Sequence, residues 1–264
     1  MPAAHDEGQR GIIPVQNMTE HNAIFGRAAL MLGEAMLDAL ARTRVAIFGL
    51  GGVGSWCAEA LVRSGVRRLM LVDSDRVCLT NVNRQLMATT KTVGQVKVVA
   101  LAERLREINP GVELDIRPRL YDASTAAEFD LSPWDYVIDA IDSLESKALL
   151  IRYALSVPTV TLYSSMGAAL KMDPFQIRQS VFKKVEGDGL ARALRQKFRK
   201  AGGLPARPFT CVWSPERREN RGPAEPGPRI NGSIVHTTAI FGFALAGLVV
   251  ADVERRMQNE ADGR

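Results

Sequence analysis

The sequence predicts an α/β fold: a mostly parallel sheet with crossover helices, then a smaller basic C-terminal region and a long apolar final helix. Three observations predict it. Short apolar runs alternate with helix-period segments from Asn22 to Tyr163, the pattern of repeated β-α-β units. The stretch RVAIFGLGGVGSWCAEALVRSGVRRLMLVDSD, Arg44 to Asp75, reads as strand, glycine-rich turn, helix, second strand and terminal acid. After Gly167 the alternation ends and Lys and Arg accumulate.

Asn22 to Leu40 carries apolar residues at helical spacing and is read as one helix. Val45 to Phe48 is a short apolar strand. Val53 to Ser64 is a helix, with Gly65 beyond it as a stop signal. Leu69 to Val72 is the second strand, followed by the polar stretch DSDRVCLTNVNRQLMATTKTVG. Gln95 to Ile108 alternates as an amphipathic helix and stops at Asn109-Pro110-Gly111. Val112 to Ile116, Tyr136 to Ile138 and Thr159 to Tyr163 are further strands, and Ser143 to Leu155 is helical. Phe175 to Val181 is a candidate strand and Gly189 to Lys200 a basic helix. Residues 201–230, rich in Gly, Pro and Arg, are read as a mobile loop.

The last apolar run, IVHTTAIFGFALAGLVV, spans Ile234 to Val250 and has no Asp, Glu, Lys or Arg. Its 17 residues sit at the short edge for a membrane span. Thr237, Thr238 and several small residues suit close helix packing, so a buried or dimer-interface helix is expected, with membrane contact as the alternative. The division that follows is a nucleotide-binding part over residues 1–170 and a substrate-docking part over residues 171–264.

Charge and cysteine content narrow the function classes. The chain carries +5 overall, but Arg178 to Arg229 holds 13 Lys/Arg against 5 Asp/Glu, or +8, leaving the rest near −3. Such a segment suits an acidic partner such as nucleic acid, or else a solvated face. Cys57, Cys78 and Cys211 are too few and too dispersed for a disulfide framework or a C-x-x-C zinc site. The polar start MPAAHDEGQR has no apolar run behind it, so a cytoplasmic location is expected.

Gly49, Gly51 and Gly54 fit G-x-G-x-x-G, with Gly52 between them. Glycines let the backbone bend sharply and meet a phosphate closely, while the next helix points its free N–H groups and positive dipole end at the anion. Asp73, at the end of the second strand, is placed to accept from ribose hydroxyls, and Asp75 follows it. This much fits NAD, FAD or ATP equally, so the Rossmann-like turn alone leaves the ligand open.

The next motif discriminates. DSDRVCLTNVNRQ followed by VGQVK supplies Asn81, Arg84, Gln85 and Lys97 directly after the ribose acid, and binding NAD requires none of them. Two fixed cations beside a triphosphate neutralise charge on the leaving pyrophosphate when a nucleophile attacks the α-phosphorus. YVIDAIDS puts Asp139 and Asp142 at a strand's carboxyl end, where ligands bind in open α/β sheets and a carboxylate can hold Mg²⁺ on phosphates.

GLGGVGS, LVDSDRVCLTNVNRQ, VGQVK and DAIDS together resemble the ATP-binding domain of ubiquitin-activating-like enzymes, over about Phe25 to Ser165. Those proteins adenylate a carboxylate and release pyrophosphate. The resemblance implies that Asp73 holds the ribose, that Asn81, Arg84 and Lys97 surround the phosphates, and that Asp142 serves the metal. It also matches Arg27, in IFGRAALMLG, to an arginine that reaches a partner subunit's site, which implies a homodimer. Asp139 is read as structural, and Gln85 as orienting the loop or contacting the nucleotide.

In the second half, SSMGAALKMDPFQI, EGDGLARALRQKFRK and TCVWSPE, with the FGF of the final helix, resemble the tRNA threonylcarbamoyladenosine dehydratases. That resemblance implies ATP-dependent ring closure on a modified adenosine next to the anticodon. It names tRNA as partner and leaves a sulfur-relay protein as a further candidate. The basic residues Lys183, Lys184, Arg192, Arg195, Lys197, Arg199, Lys200, Arg217, Arg218 and Arg221 would track the RNA backbone, with Trp213 available for base stacking and Phe182 and Phe198 read as core. EPGPRINGSIVH lacks the cysteine that some members carry before the final helix, and Cys211 is read as packed rather than reactive. The competing readings are an adenylyltransferase for a small sulfur-carrier protein and, more remotely, an NAD-dependent oxidoreductase.

Overall fold

The computed structural model describes residues 20–222 and 230–263. The N-terminal MPAAHDEGQR and residues 223–229 of the Gly-, Pro- and Arg-rich stretch read as a mobile loop lie outside these. The described residues begin with two helices, α1 (Glu20–Leu32) and α2 (Glu34–Arg42), where the spacing predicted one. Gly33 breaks them: its φ of 78° lies in the left-handed region, which interrupts the helical ladder.

The predicted alternation then appears as β1 (Arg44–Phe48), α3 (Gly54–Arg63), β2 (Arg68–Val72), α4 (Lys97–Ile108), β3 (Glu113–Arg117), β4 (Tyr136–Asp139), α5 (Leu144–Ser156) and β5 (Thr161–Ser165). Beyond these come β6 (Arg178–Val181), α6 (Gly189–Lys200), β7 (Thr210–Trp213) and α7 (Val235–Ala261). The seven strands among the described residues form one sheet in the order β3-β2-β1-β4-β5-β7-β6. All neighbours pair parallel except β6, which runs antiparallel to β7. β1 is buried along Val45–Phe48, as a strand covered on both faces must be. Alternation splits it: Val45 and Ile47 join the core under α2, α3, α4 and α7, while Ala46 and Phe48 join the core under α5 and α6.

Two expectations change in the second half. β7 falls inside the stretch read as a mobile loop. Four residues carry too little local signal, and its partners, β5 and β6, lie far away in the chain. The strand expected from Phe175 is confined to Arg178–Val181, because Pro174–Gln176 forms a 3₁₀ turn held by Asp173, whose carboxylate accepts from the Phe175 N–H at 3.0 Å.

α7 is long and apolar enough to cross a membrane by length and composition, yet half of its most apolar window is buried inside the protein. Thr238, Phe241, Leu245, Val249 and Val253 form the buried face, at the spacing of one helical stripe. Gly242 lets it press on α3: a Cβ there would lie 2.5 Å from the Val53 carbonyl oxygen and 2.9 Å from the Cys57 nitrogen. Core packing accounts for that stripe.

Candidate nucleotide site

β1 and β4 leave the sheet at the point where strand order reverses, and their carboxyl ends open into one cavity of about 1340 Å³. The glycine turn forms part of its wall. Gly49 adopts φ 87°, and a Cβ there would meet the Ala140 carbonyl oxygen at 2.7 Å. A Cβ on Gly54 would sit 1.9 Å from the Gly49 carbonyl oxygen, so this position closes the turn on itself at the start of α3. Gly52 faces Thr238 of α7 at 3.1 Å. Gly51 differs: its nearest neighbour is Gln85 Nε2 at 3.9 Å, leaving room on the cavity side.

Asp73 pins the turn to the second strand. Its Oδ2 accepts from the Leu50 N–H at 2.7 Å and its Oδ1 from the Asp75 N–H at 2.9 Å. Lys97 is buried at the start of α4, and its Nζ lies 2.7 Å from Asp75 Oδ2. The Lys97 N–H donates to the Asp75 carbonyl at 2.9 Å, so the two residues are coupled through backbone and side chain. Arg84 lines the cavity with Nη1 donating to the Thr80 carbonyl at 2.8 Å and to Asn83 Oδ1 at 3.0 Å. Trp56 of α3 donates from Nε1 to the Arg84 carbonyl at 3.0 Å, which ties this loop to the helix behind the glycines. Gln85 is buried in the cavity wall, and its buried Oε1 has no hydrogen-bond partner among the described residues. Asp142, beyond β4, is exposed and also lines the cavity.

Nine predicted residues therefore line one space: Gly49, Gly51, Gly52, Asp73, Asp75, Arg84, Gln85, Lys97 and Asp142, with Gly54 behind the turn. Asn81 and Arg27 are not among them. The Asn81 side chain accepts from the Cys78 N–H at 3.0 Å and shapes the 3₁₀ turn Leu79–Asn81. Arg27 is exposed on α1, outside the cavity. No three His, Cys, Asp or Glu side chains cluster as metal ligands among the described residues. A Mg²⁺ held mainly by phosphates and water requires only one or two carboxylates, and Asp142 is placed to be one.

Asp139 is structural, as read. It is fully buried, its Oδ2 lies 2.8 Å from Lys147 Nζ, and it accepts from Ser164 Oγ at 2.6 Å. Burial pushes its carboxyl up, against the opposing pull of Lys147. Lys147 also donates to the Ile141 carbonyl at 2.8 Å, so this ion pair holds the loop that carries Asp142. Sequence reasoning missed Lys147, because a lysine on a helix ordinarily faces solvent. It also missed Arg119, Leu120 and Tyr121, which follow β3 and line the cavity. Their position after a parallel strand was the available signal.

The basic region contributes only in part. Arg192, Arg217 and Arg218 line the cavity. Arg195 instead turns inward, donating to the Phe182 carbonyl at 3.0 Å and to the Val185 carbonyl, and Lys197 pairs with Glu145. Phe182 and Phe198 are core, as expected. Trp213 is core too: it is buried and its Nε1 donates to Ser180 Oγ at 2.9 Å, so it is not available for base stacking. Cys211 is buried in β7 and burial pushes its thiol far up, which removes nucleophilic character.

A glycine turn at the switch point of a parallel sheet, an acid at the second strand's end and two cations beyond it define a nucleotide-binding α/β protein built to handle phosphates. The chain belongs to the ThiF family, whose sequence profile matches residues 25–257. It is 44% identical over 178 residues to the tRNA threonylcarbamoyladenosine dehydratase of Bacillus subtilis, covering 67% of this chain and 70% of that one. It is 39% identical over 199 residues to the dehydratase of the same name from Escherichia coli, covering 73% of each. The crystal structure of the E. coli tRNA N6-threonylcarbamoyladenosine dehydratase in complex with ATP superposes with a TM-score of 0.79 at 33% identity, covering 92% of this chain and 97% of that one.

Proposed function

We propose that this protein catalyses the ATP-dependent cyclodehydration of threonylcarbamoyladenosine in tRNA. The observation that carries the reading is the continuity of the cavity. One space of about 1340 Å³ joins the glycine turn to Arg192, Arg217 and Arg218, larger than the ~300–1,000 Å³ usual for a single small ligand. It accommodates a nucleotide at one wall and a second, anionic substrate at another. ATP is the co-substrate the glycine turn and Asp73 fit.

The threonyl carboxylate attacks the α-phosphorus of ATP and pyrophosphate leaves. Arg84 and Lys97 bear on the charge of that leaving group. A nucleophilic group of the same modified side chain then attacks the acyl carbon and loses its proton. AMP departs with the carboxylate oxygen, so the net change is loss of one water. Ring closure is intramolecular and favoured by proximity, so no enzyme nucleophile is required. This agrees with the buried, protonated Cys211. Mg²⁺ would be held at Asp142, where it supplies charge neutralisation to the phosphates.

The same reading extends to assembly and compartment. Arg27 is exposed on α1 beside Leu30 and Met31, two apolar side chains about nine-tenths exposed at 90% and 87%. Such a surface suits a homodimer in which Arg27 reaches the neighbouring site. The cytoplasm is the compartment we propose, and a sulfur-relay protein is a further candidate partner.

The test is pyrophosphate release from ATP with and without tRNA bearing the threonylcarbamoyl group, with mass analysis of the nucleosides. Release that depends on this tRNA, with loss of one water from the modified adenosine, is the expected result. Release stimulated instead by a small carrier protein would replace the reading with adenylyltransfer. Arg84→Ala and Lys97→Ala should each lower turnover by roughly 10²-fold or more while the fold persists. Full activity in both would refute the phosphate assignment.

A further inference from the structure

Lys171 and Glu216 are buried charged side chains in the wall of the cavity that neither the glycine turn nor the phosphate cations account for. Their contacts are reciprocal. Lys171 Nζ donates to the Ser214 carbonyl at 2.9 Å and to the Glu216 carbonyl. Glu216 Oε2 accepts from the N–H groups of Met172 at 2.7 Å and Asp173 at 2.8 Å, the two residues after Lys171. Each charged side chain thus holds the other's backbone, and the two segments are fastened at both ends.

The receiving segment is itself fixed. Leu170 sits at φ 58°, a left-handed conformation that a branched side chain adopts only when its surroundings impose it. Its N–H donates to the Gly232 carbonyl at 2.9 Å, and His236 Nε2 lies 2.8 Å from the Met172 carbonyl. The other segment continues directly into Arg217 and Arg218, which line the cavity. Arg217 Nε donates to the Gly187 carbonyl at 2.9 Å, and Arg218 Nε to Glu216 Oε1. Apolar side chains would close such a seam with less desolvation, whereas charged groups that each bond specific backbone atoms add register.

We propose that Lys171 and Glu216 form a clasp that sets the position of Arg217 and Arg218 for the phosphates of the RNA substrate. They are positioning residues: they act through the two arginines, and ATP binding does not depend on them. The proposal rests on the reading of tRNA as substrate.

The test uses the full chain with Lys171→Met, Lys171→Arg and the near-isosteric Glu216→Gln, measuring KM for modified tRNA, Kd for ATP and amide hydrogen exchange of the free protein. Lys171→Met and Glu216→Gln should raise KM for tRNA roughly tenfold, the loss of about one charge-assisted phosphate contact, with Kd for ATP held within about twofold. Lys171→Arg should recover much of the loss. Exchange over residues 214–222 should accelerate while β1 and α3 stay protected. An unchanged KM for tRNA in a folded variant, or equal losses for tRNA and ATP, would overturn the proposal. Should the wild-type enzyme show no tRNA-dependent AMP formation, the substrate reading fails separately. Unaltered exchange over 214–222 would then overturn the clasp as well.

Discussion

A single methyl group, added at Gly51 or at Gly54, separates the ligand's demand on the glycine turn from the fold's. At Gly51 the backbone φ is ordinary and the nearest atom to an added Cβ is 3.9 Å away, so the folded protein accommodates alanine. Stability should change by less than about 0.5 kcal/mol. The methyl would instead occupy the approach of the phosphates. Losing one charge-assisted hydrogen bond costs about 1.5–3 kcal/mol, or about 10- to 150-fold in Kd for ATP. At Gly54 the added Cβ would lie 1.9 Å from the Gly49 carbonyl oxygen, a backbone atom that must retreat by roughly 1 Å. Such overpacking costs roughly 3 kcal/mol, a fall of roughly 6–12 °C in Tm for a chain of this size. Titration calorimetry with ATP and thermal unfolding of both variants provide the assay. The two positions should dissociate: Gly51→Ala folded normally and binding poorly, Gly54→Ala unstable. Wild-type ATP affinity in Gly51→Ala would remove the turn from the nucleotide site. Wild-type stability in Gly54→Ala would refute the packing argument.

Further expectations follow from the buried groups. Lys147→Met leaves the Asp139 carboxylate without its partner at 2.8 Å and should cost about 3–5 kcal/mol in urea unfolding, with much of this regained in the Lys147→Met, Asp139→Leu double variant. Burial raises the Glu216 carboxyl, but Arg218 and the N–H groups of Met172 and Asp173 outweigh it and hold it at about 2. A carboxyl depressed by folding stabilises the protein above its unfolded pKa and loses that contribution as pH falls through the folded one. Stability should therefore drop between the ordinary glutamate range and pH about 2, with a shallower acid slope in Glu216→Gln, measured by denaturant unfolding against pH. Cys211→Ala should keep kcat near wild type, because a buried, protonated thiol has no part in ring closure; a large loss in kcat without unfolding would restore it to the mechanism.

Local chemistry was enough to read much of this protein from its residues in order. The strand–turn–helix–strand from Arg44 to Asp75 is encoded within one β-α-β unit, so periodicity and glycine spacing place Gly49, Gly51, Gly54 and Asp73 without tertiary information. Arg84 and Lys97 were legible because they follow that unit at short range. What the sequence left open depends on atoms distant in the chain. β7 became a strand only because β5 and β6 flank it, and the carbonyl partners of Lys171, on Ser214 and Glu216, lie 43 and 45 residues away in the chain. Asn81 matched a phosphate motif; its Oδ1 accepts from the Cys78 N–H, and the residue is not in the cavity lining. Motif and periodicity determine which residues can meet a nucleotide. Long-range packing decides which do, because a polar side chain's role is set by the first partner that burial leaves within its reach.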